Sequence, residues 1–295
     1  MEFGNFRGFE VSLREHGIAW LRFNQPERLN GLTHHHKRDL REALLQAQFD
    51  DAVRVVVITG SGRAFSAGDD ITGRPISFAD DARPLAGPID SGHDNPMATY
   101  YALRMISQPL NKALRELDKI TIAAINGVAV QTGLSLALAC DFRLAAESAR
   151  LTSGTLRFGL LPDEGGHKLM VQHMGVTRAM EFCLRMRFAS AQEALELGML
   201  NEVVPDDELE ERTMALATEL ANGPQIAMRL LKRTMYNADE MTWDQACDDI
   251  AAKTAISDWD PDAEEGGLSF KEKRSPVFNQ HLGEVRGAQP WASPS

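Results

Sequence analysis

The most informative segment of the chain is residues 120–140, which read Ile120-Thr-Ile-Ala-Ala-Ile-Asn126-Gly127-Val-Ala-Val-Gln131-Thr132-Gly133-Leu-Ser135-Leu-Ala-Leu-Ala-Cys140. Its first six residues are apolar or β-branched, which predicts a buried strand that ends at Asn126-Gly127. The apolar run that begins after Gly133 predicts a buried helix. Because the first N–H groups of a helix have no partner within it, this unit predicts a pocket for an oxyanion; an ordinary packed strand–helix unit is the alternative.

A second segment, residues 53–71, repeats this pattern. It begins Val53-Arg-Val-Val-Val-Ile-Thr59-Gly60-Ser-Gly62, which predicts a buried strand that ends in a Gly-rich turn. The chain continues as Ala64-Phe-Ser-Ala67-Gly68-Asp69-Asp70-Ile71. Two junctions of this kind can supply one backbone N–H each to the same oxygen atom.

Together the two segments resemble the crotonase superfamily, also called the enoyl-CoA hydratase/isomerase family. The family pattern Ala-Phe-x-Ala-Gly-x-Asp is found at residues 64–70, and its later pattern Ile-Asn-Gly-x-Ala-x-Gly-Gly-Gly is recognisable at residues 125–133. The resemblance extends from about residue 9 to residue 281 and includes the spacing between the two patterns. It is therefore much more specific than a single glycine motif.

The resemblance implies an α/β protein with the crotonase (ClpP-like) fold, built from repeated ββα units with a C-terminal helical region for trimerisation. We therefore expect residues 1–205 to form the ββα core with the acyl-CoA site. Residues 206–295 are expected to form helices that cover the site and mediate assembly. The implied assembly is a homotrimer or a homohexamer.

Composition limits the partners of the chain. Its 42 acidic and 31 basic residues give a net charge of −11, which argues against nucleic acid, including RNA, or an anionic membrane as the main partner. No apolar run is long enough for a membrane-spanning helix or a signal peptide, so we expect a cytoplasmic protein.

The sequence predicts no metal site and no disulfide framework. Its three cysteines, Cys140, Cys183 and Cys247, are too few and too scattered for either. Histidines occupy positions 34–36. Consecutive side chains on a helix point about 100° apart, so these three cannot converge on one ion.

Local patterns predict the elements around the two central units. A hairpin is expected to turn at His16-Gly17, and a helix capped by Thr33 is expected over residues 34–48. Residues 72–96 are rich in Gly, Pro and Asp, which predicts either a mobile lid or a disordered segment. Helical spacing resumes at residues 97–117, where Pro109 is expected to kink or interrupt the helix.

The resemblance also implies which residues form the site. It assigns the two oxyanion donors to the backbone N–H groups of Asp69 and Thr132, although the family usually has glycine at the second position. It further implies contacts with coenzyme A or the acyl group. These contact residues are Arg28, Asn30, Gly31, Ala67, Gly68, Asp70, Ile71, Gly133, Thr155, Phe270 and Lys273, with Arg274 as a further candidate. The alternatives are a solvated surface charge for Arg28 and ordinary charged helix positions for Lys273 and Arg274.

The acid/base groups depart from the family pattern. Typical hydratases of the family use two glutamates, and the matching positions here are Ser135 and Thr155. A hydroxyl group has no useful basicity near neutral pH, so simple two-glutamate hydration is not expected. Asp163 and Glu164 are candidate replacements, and Asp163 matches a position where family isomerases and a dehalogenase carry a working aspartate. The alternative is that both carboxylates complement the dipole of the helix that follows them.

These observations predict an acyl-CoA-processing enzyme of the enoyl-CoA hydratase/isomerase family that stabilises a thioester enolate between two N–H groups. Within the family, enoyl- or dienoyl-CoA isomerisation and C–C hydrolysis are the alternatives to hydration. A non-catalytic acyl-CoA-binding protein is an alternative of another class. No cofactor is expected, because coenzyme A is part of the substrate.

Overall fold

The structure is a computed structural model that describes residues 1–72, 80–86 and 95–291. Its strands are β1 (Gly4–Phe6), β2 (Phe9–Arg14), β3 (Ile18–Phe23), β4 (Val55–Gly60), β5 (Ala64–Ser66), β6 (Ile120–Ile125), β7 (Val128–Val130), β8 (Phe142–Ala146), β9 (Arg150–Thr152), β10 (Ala189–Ser190) and β11 (Glu202–Val204). Its helices are α1 (His34–Phe49), α2 (Pro96–Ala102), α3 (Gln108–Glu116), α4 (Thr132–Ala139), α5 (Gly166–Arg185), α6 (Ala191–Glu196), α7 (Leu209–Asn222), α8 (Gln225–Ala238), α9 (Trp243–Ser257) and α10 (Pro261–Glu272). The segment predicted to be a mobile lid or disordered, residues 72–96, falls mainly on residues 73–79 and 87–94, which lie outside the described residues.

The strands form two sheets. The larger has the order β1-β2-β3-β4-β6-β8-β11, antiparallel from β1 to β3 and parallel from β3 onwards. The smaller has the order β10-β9-β7-β5, in which β5, β7 and β9 are parallel. Successive units such as β6-β7-α4 and β8-β9-α5 therefore give one strand to each sheet and then a helix. The predicted architecture of repeated ββα units is confirmed.

The apolar strands are buried because both faces of the larger sheet are covered. Every residue of β4 and of β6 is buried, as expected for parallel strands inside an α/β protein. One apolar cluster joins the two sheets to α1, α3, α4 and α5. A second cluster lies between the larger sheet and α7, where Trp20 and Leu209 are buried.

Most predicted local elements are present. β2 and β3 form the hairpin, and its turn at His16 and Gly17 has positive φ at both residues. The hydroxyl of Thr33 accepts the N–H of His36 and caps α1. A π-helical turn, Leu103–Ser107, separates α2 from α3, so the interruption expected at Pro109 lies directly before it.

Four helices, α7 to α10, follow residue 206, as predicted, but residues 273–291 after them form no helix, and α7 and α8 pack on the core. α7 contacts β4, β6 and β8. α8 is anchored by Lys232, whose ammonium group donates to the Asp141 carboxylate at 2.7 Å and to the Lys119 carbonyl at 2.9 Å. The hydroxyl of Tyr236 donates to the same carboxylate at 2.6 Å. In the described part of the chain, no helix has the length and apolar character needed to cross a lipid bilayer.

Candidate active site

Parallel pairing of β5 and β7 brings the two central segments together. Ala64 pairs with Val128 and Ser66 with Ala129, so both strands end at the same edge of the smaller sheet. The chain then continues to Asp69 on one side and to Thr132 on the other. The Thr132 hydroxyl lies 2.6 Å from the Asp69 carboxylate, so the two predicted donors lie on adjacent segments.

Two glycines allow this close approach. Gly68 has φ +88°, and a Cβ atom there would lie 2.8 Å from the carbonyl oxygen of Val130. A Cβ atom on Gly133 would lie 2.3 Å from the carbonyl oxygen of Ser66. Any larger residue at either position would push the β5 and β7 junctions apart.

The residue before Thr132 carries the unusual backbone conformation. Gln131 has φ +48° and ψ −112°, which resembles the first central position of a type II′ turn, where glycine is favoured. Thr132 itself starts α4 with a helical backbone, so its branched side chain causes no strain there. Its N–H belongs to the first turn of the helix and has no acceptor within it.

The amide side chain of Gln131 lies across the site. Its Oε1 accepts the N–H of Asp69 at 3.0 Å and lies 2.8 Å from the Thr132 hydroxyl. Its Nε2 donates to Oε1 of Glu164. Sequence reasoning missed this residue, although a long side chain at a position that favours glycine was a usable signal.

Glu164 is buried beside the two predicted donors. Only 1 % of it is exposed, and its Oε1 lies 2.5 Å from the Thr132 hydroxyl. Its other oxygen is buried and has no hydrogen-bond partner within the described residues. Burial first, and then the charge of Asp69, raise the pKa of Glu164 to about 7, against the opposing effect of Lys37.

The Thr132 hydroxyl contacts more acceptors than it can satisfy. It lies within 2.8 Å of Asp69, Gln131 and Glu164, and a hydroxyl has only one proton to donate. The hydroxyl can donate to one of the two carboxyl groups and accept a hydrogen bond from the other, provided that the other is protonated. This agrees with the raised pKa of Glu164.

Asp163 is the second carboxyl at this turn and is partly buried. Burial and the charge of Asp69 raise its pKa above the ordinary value. α5 begins only at Gly166, and its N-cap residue is Gly165, so neither Asp163 nor Glu164 caps this helix through a side-chain hydrogen bond.

Two amide side chains of α3 hold the turn in place. Gln108 donates to the carbonyl of Asp163, and Asn111 donates to the carbonyl of Glu164, both at 2.9 Å. Residues three apart lie on the same face of a helix, which explains why both reach the turn. Sequence reasoning missed them, because their helical spacing does not reveal which loop they contact.

A buried lysine balances part of the negative charge. Only 1 % of the Lys37 side chain is exposed, and its ammonium group lies 2.8 and 2.9 Å from the two carboxylate oxygens of Asp69. It also donates to the Ser107 hydroxyl at 2.8 Å. Lys37 precedes Leu40 and Leu44 by three and seven residues, so its place on the apolar face of α1 was a signal that sequence reasoning missed.

Comparison with known proteins then identifies the family. The sequence profile of enoyl-CoA hydratase/isomerase matches residues 14–83 and 89–281. The chain belongs to the enoyl-CoA hydratase/isomerase family. It is an acyl-CoA enzyme of this family, as its sequence predicted.

Individual relatives in the family carry different reaction names. The chain is 34% identical over 270 residues to 1,2-epoxyphenylacetyl-CoA isomerase of Escherichia coli, which covers 92% of this chain and 98% of the relative. It is 29% identical to 4-chlorobenzoyl coenzyme A dehalogenase-1 of an Arthrobacter species, with 92% of this chain and 95% of the relative covered. A crystal structure of enoyl-CoA hydratase from Bacillus anthracis is similar with a TM-score of 0.80 and 31% identity, over 92% of this chain and 98% of that one. Family membership therefore does not select the reaction, and the site residues must do so.

The two positions that the family resemblance assigns to the hydratase glutamates carry buried hydroxyls. A Cβ atom on Gly166 would lie 2.2 Å from Oγ of Ser135, so the start of α5 packs directly on this serine. Oγ1 of Thr155 lies 3.4 Å from Oγ of Ser153. The carboxyl groups at the site thus come from the turn before α5 and from Asp69.

The loop at residues 28–31 is held mainly by Asn30. This side chain is buried, accepts the N–H of Gln25 at 3.0 Å and donates to the carbonyls of Ser61 and Ala64 at 3.0 and 2.7 Å. The polar atoms of its side chain are therefore engaged inside the protein, and the nucleotide contact predicted for Asn30 stays a prediction. Gly31 donates its N–H to the carbonyl of Arg28 within the same turn.

Arg28 is not a solvated surface charge, because only 17 % of its side chain is exposed. It forms an ion pair with Asp70 and donates to the Thr72 hydroxyl at 2.8 Å. Partial burial acts to raise the pKa of Asp70, but hydrogen bonds from Thr72 and Arg28 lower it below the ordinary value. The neighbouring Ile71 is exposed, and Ala67 donates its N–H to the Leu29 carbonyl at 2.9 Å.

The C-terminal contact residues lie on the surface of a single chain. Phe270 on α10 is 85 % exposed, and Lys273 follows the end of that helix with φ +54°. Arg274 is engaged in ion pairs with Glu265 and Glu272 at 2.6 and 2.7 Å. The nucleotide contacts of Phe270 and Lys273 stay predictions.

One group of potential metal ligands is found in the described ranges outside this site. Oxygen or nitrogen atoms of Asp260, Asp262 and His281 lie within 4.8 Å of one another at the start of α10. One carboxylate oxygen of Asp262 already accepts the N–H of Asn279 at 2.6 Å.

Proposed function

We propose that this family member is an acyl-CoA isomerase that moves a proton between two carbons of its acyl group through a thioester enolate. The N–H groups of Asp69 and Thr132 bind the thioester oxygen, and the carboxyl group of Glu164 carries the proton. One observation carries this proposal: the buried carboxyl of Glu164 lies 2.5 Å from the side chain of Thr132, one of the two donor residues. Its pKa of about 7 suits a group that must both accept and donate a proton near neutral pH.

The reaction balances within the site. In a β,γ-unsaturated thioester, ionised Glu164 removes a proton from the α-carbon, and the electron pair moves onto the thioester oxygen. Two N–H donors stabilise that oxyanion, and removing one donor of this kind typically costs about 10²–10³ in rate. Protonated Glu164 then returns the proton at the γ-carbon, and the double bond lies between the α- and β-carbons. No water, oxidant or cofactor is consumed.

Hydration fits the same residues less well. It needs a carboxylate pair that positions a water molecule, and the two positions for that pair carry the buried hydroxyls of Ser135 and Thr155. The similarity to the 1,2-epoxyphenylacetyl-CoA isomerase of Escherichia coli supports an isomerase assignment. Asp163, whose pKa is also raised, is the alternative proton carrier.

The test is exchange of the α-protons of phenylacetyl-CoA with solvent deuterium, followed by mass spectrometry. The exchange reaction proceeds through the enolate, and the assay can be run without knowing the natural acyl group. We expect exchange in the wild type and a loss of about 10²-fold or more in Glu164→Gln, because general acid–base groups contribute about 10²–10⁴. The matched control is Glu116→Gln, an exposed carboxyl on α3, which should exchange at the wild-type rate.

Other outcomes of this experiment are equally informative. Exchange that survives in Glu164→Gln and is lost in Asp163→Asn would assign the proton transfer to Asp163. Absence of exchange in the wild type would contradict an enolate mechanism. Rapid loss of the enoyl absorbance of crotonyl-CoA would favour hydration over isomerisation.

We also propose that the chain assembles into a homotrimer or homohexamer through its C-terminal helices. The support is the exposure, in a single chain, of Trp243 on α9, Trp259 between α9 and α10, and Phe270 on α10, because exposed apolar patches mark contact surfaces. Light scattering after size-exclusion chromatography should give three or six chains per particle. A monomer would contradict this assembly.

A further inference from the structure

The primary amide of Gln131 has contacts that a bound thioester would need. Its oxygen accepts the N–H of Asp69 at 3.0 Å, and that N–H is one of the two donors in the proposed function. Its nitrogen, bonded to the same carbon, donates to Glu164. In an acyl-CoA, the atoms bonded to the carbonyl carbon are the oxygen, the sulfur and the reactive α-carbon. The Gln131 amide therefore places its oxygen at the Asp69 N–H and its nitrogen at the Glu164 carboxyl, where a bound thioester would place its oxygen and its α-carbon.

The surroundings of Gln131 are built to accept this side chain. A Cβ atom on Gly68 would lie 2.8 Å from Oε1 of Gln131, so the absence of a side chain at residue 68 makes room for the amide. The backbone of Gln131 has φ +48° and ψ −112°, a conformation that glycine adopts at less cost. Strained residues of this kind persist where the surrounding contacts hold them, and they cluster at functional sites.

We propose that the Gln131 amide is an internal mimic of the substrate carbonyl, which an acyl-CoA thioester must displace before it can bind between Asp69 and Thr132. This inference rests on the proposed function. A ligand without a thioester carbonyl, such as free coenzyme A, has no reason to displace the amide. Gln131 therefore lowers the affinity for thioesters but not the affinity for free coenzyme A. A variant without the amide should consequently prefer the thioester over free coenzyme A more strongly than the wild type does.

Displacement also changes the state of Glu164. The carboxylate loses the hydrogen bond from Nε2 of Gln131 when the side chain moves away. A hydrogen bond to a carboxylate favours its ionised form, so losing one makes the group more basic. Binding of a thioester is thereby coupled to activation of the residue that removes its α-proton.

Two variants test this role against a purely structural one. Gln131→Met keeps the side-chain length and the strained backbone but removes the amide, whereas Gln131→Gly removes both the amide and the strain. We expect both to bind phenylacetyl-CoA about 5- to 10-fold more tightly in calorimetry, the equivalent of one net hydrogen bond. Affinity for free coenzyme A should change by less than about twofold, which is smaller than the change expected when one hydrogen bond is gained or lost. The kcat/KM profile of both variants should shift to higher pH, because Glu164 has lost a donor in the free protein.

The results that would overturn the inference are distinct from failure of the proposed function. Unchanged or weaker thioester binding in both variants would show that the amide is not displaced. Tighter binding in Gln131→Gly alone would assign the effect to backbone strain and not to the amide. If the wild type exchanged α-protons but the variants kept its thioester-to-coenzyme A affinity ratio, only the role of Gln131 would be lost. If the wild type neither exchanged α-protons nor bound phenylacetyl-CoA more tightly than coenzyme A, the proposed function would fail as well.

Discussion

Gly133→Ala should separate the two predicted oxyanion donors. A Cβ atom at this position would lie 2.3 Å from the carbonyl oxygen of Ser66 and 2.8 Å from its Cβ atom, whereas ordinary contact begins at 3.4 Å. The start of α4 must therefore withdraw from β5 by about 1 Å, and the N–H of Thr132 moves with it. A displacement of about 1 Å in a catalytic group can cost about 10²-fold in rate. Overpacking of this kind typically costs about 1–3 kcal/mol of stability.

The assay is α-proton exchange of phenylacetyl-CoA, measured beside thermal unfolding so that only folded protein is compared. Gly267→Ala is the matched control, because a Cβ atom there meets nothing within 4 Å on helix α10. It should keep full activity and gain about 0.5–1 kcal/mol, since glycine is unfavourable inside helices. A folded Gly133→Ala protein with wild-type exchange would refute the role of the Thr132 N–H.

Three further predictions use other groups of the molecule. Lys37→Met removes the cation that lowers the pKa of Glu164, so the midpoint of the pH–rate profile for α-proton exchange should move above about 7; an unchanged or lower midpoint would contradict this electrostatic account. Burial lowers the pKa of His36 from 6.5 to about 4. The unfolded chain therefore binds more protons at His36 between these values, so His36 should remove up to about 2 kcal/mol of stability as the pH drops from 7 to 5. Because the raised pKa of Glu164 acts in the opposite direction over this range, the measurement is the pH dependence of urea unfolding in wild type beside His36→Gln; the same pH dependence in both proteins would argue against a neutral buried imidazole. Lys232→Met should destabilise the protein by about 3 kcal/mol, because it leaves the largely buried carboxylate of Asp141 without its cation, whereas Lys112→Met, which loses an exposed pair, should leave the urea midpoint unchanged.

The fold was predictable where local pattern determines it. The apolar runs of β4 and β6, the turn at His16-Gly17 and the cap at Thr33 are local features, and each is present in the structure. The repeated strand pattern also indicated two junctions of the same kind. Parallel pairing of β5 with β7 then brings the residues after those junctions side by side.

The contents of the site were less predictable, because they depend on contacts between distant residues. Lys37 and Asp69 are 32 positions apart in the sequence, and Asn111 and Glu164 are 53 positions apart. Neither pairing can be derived from periodicity. The glycine that the family pattern favours at position 131 was a signal for its positive φ, but the contacts of the Gln131 side chain with Asp69 and Glu164 could not be derived from it.

Asn30 has a role inside the protein that its loop position did not reveal. Its place in a loop that resembles a coenzyme A-binding segment predicted a nucleotide contact, which stays a prediction. In the structure, Asn30 has φ +56°, a conformation that asparagine tolerates better than most residues. Its amide satisfies backbone groups of Gln25, Ser61 and Ala64. A polar loop residue can thus be required for the conformation of the loop itself.

The central claim is that buried Glu164 is the group that removes the α-proton. Its most direct test is the pH dependence of α-proton exchange in wild type and Glu164→Gln, measured at thioester concentrations far below saturation so that the profile reports the free protein. The wild-type rate should rise with pH and level off with a midpoint near 7, the pKa to which burial raises this carboxyl. Glu164→Gln should lose both the rate and the midpoint. A variant that keeps the wild-type rate and the same midpoint would contradict the account.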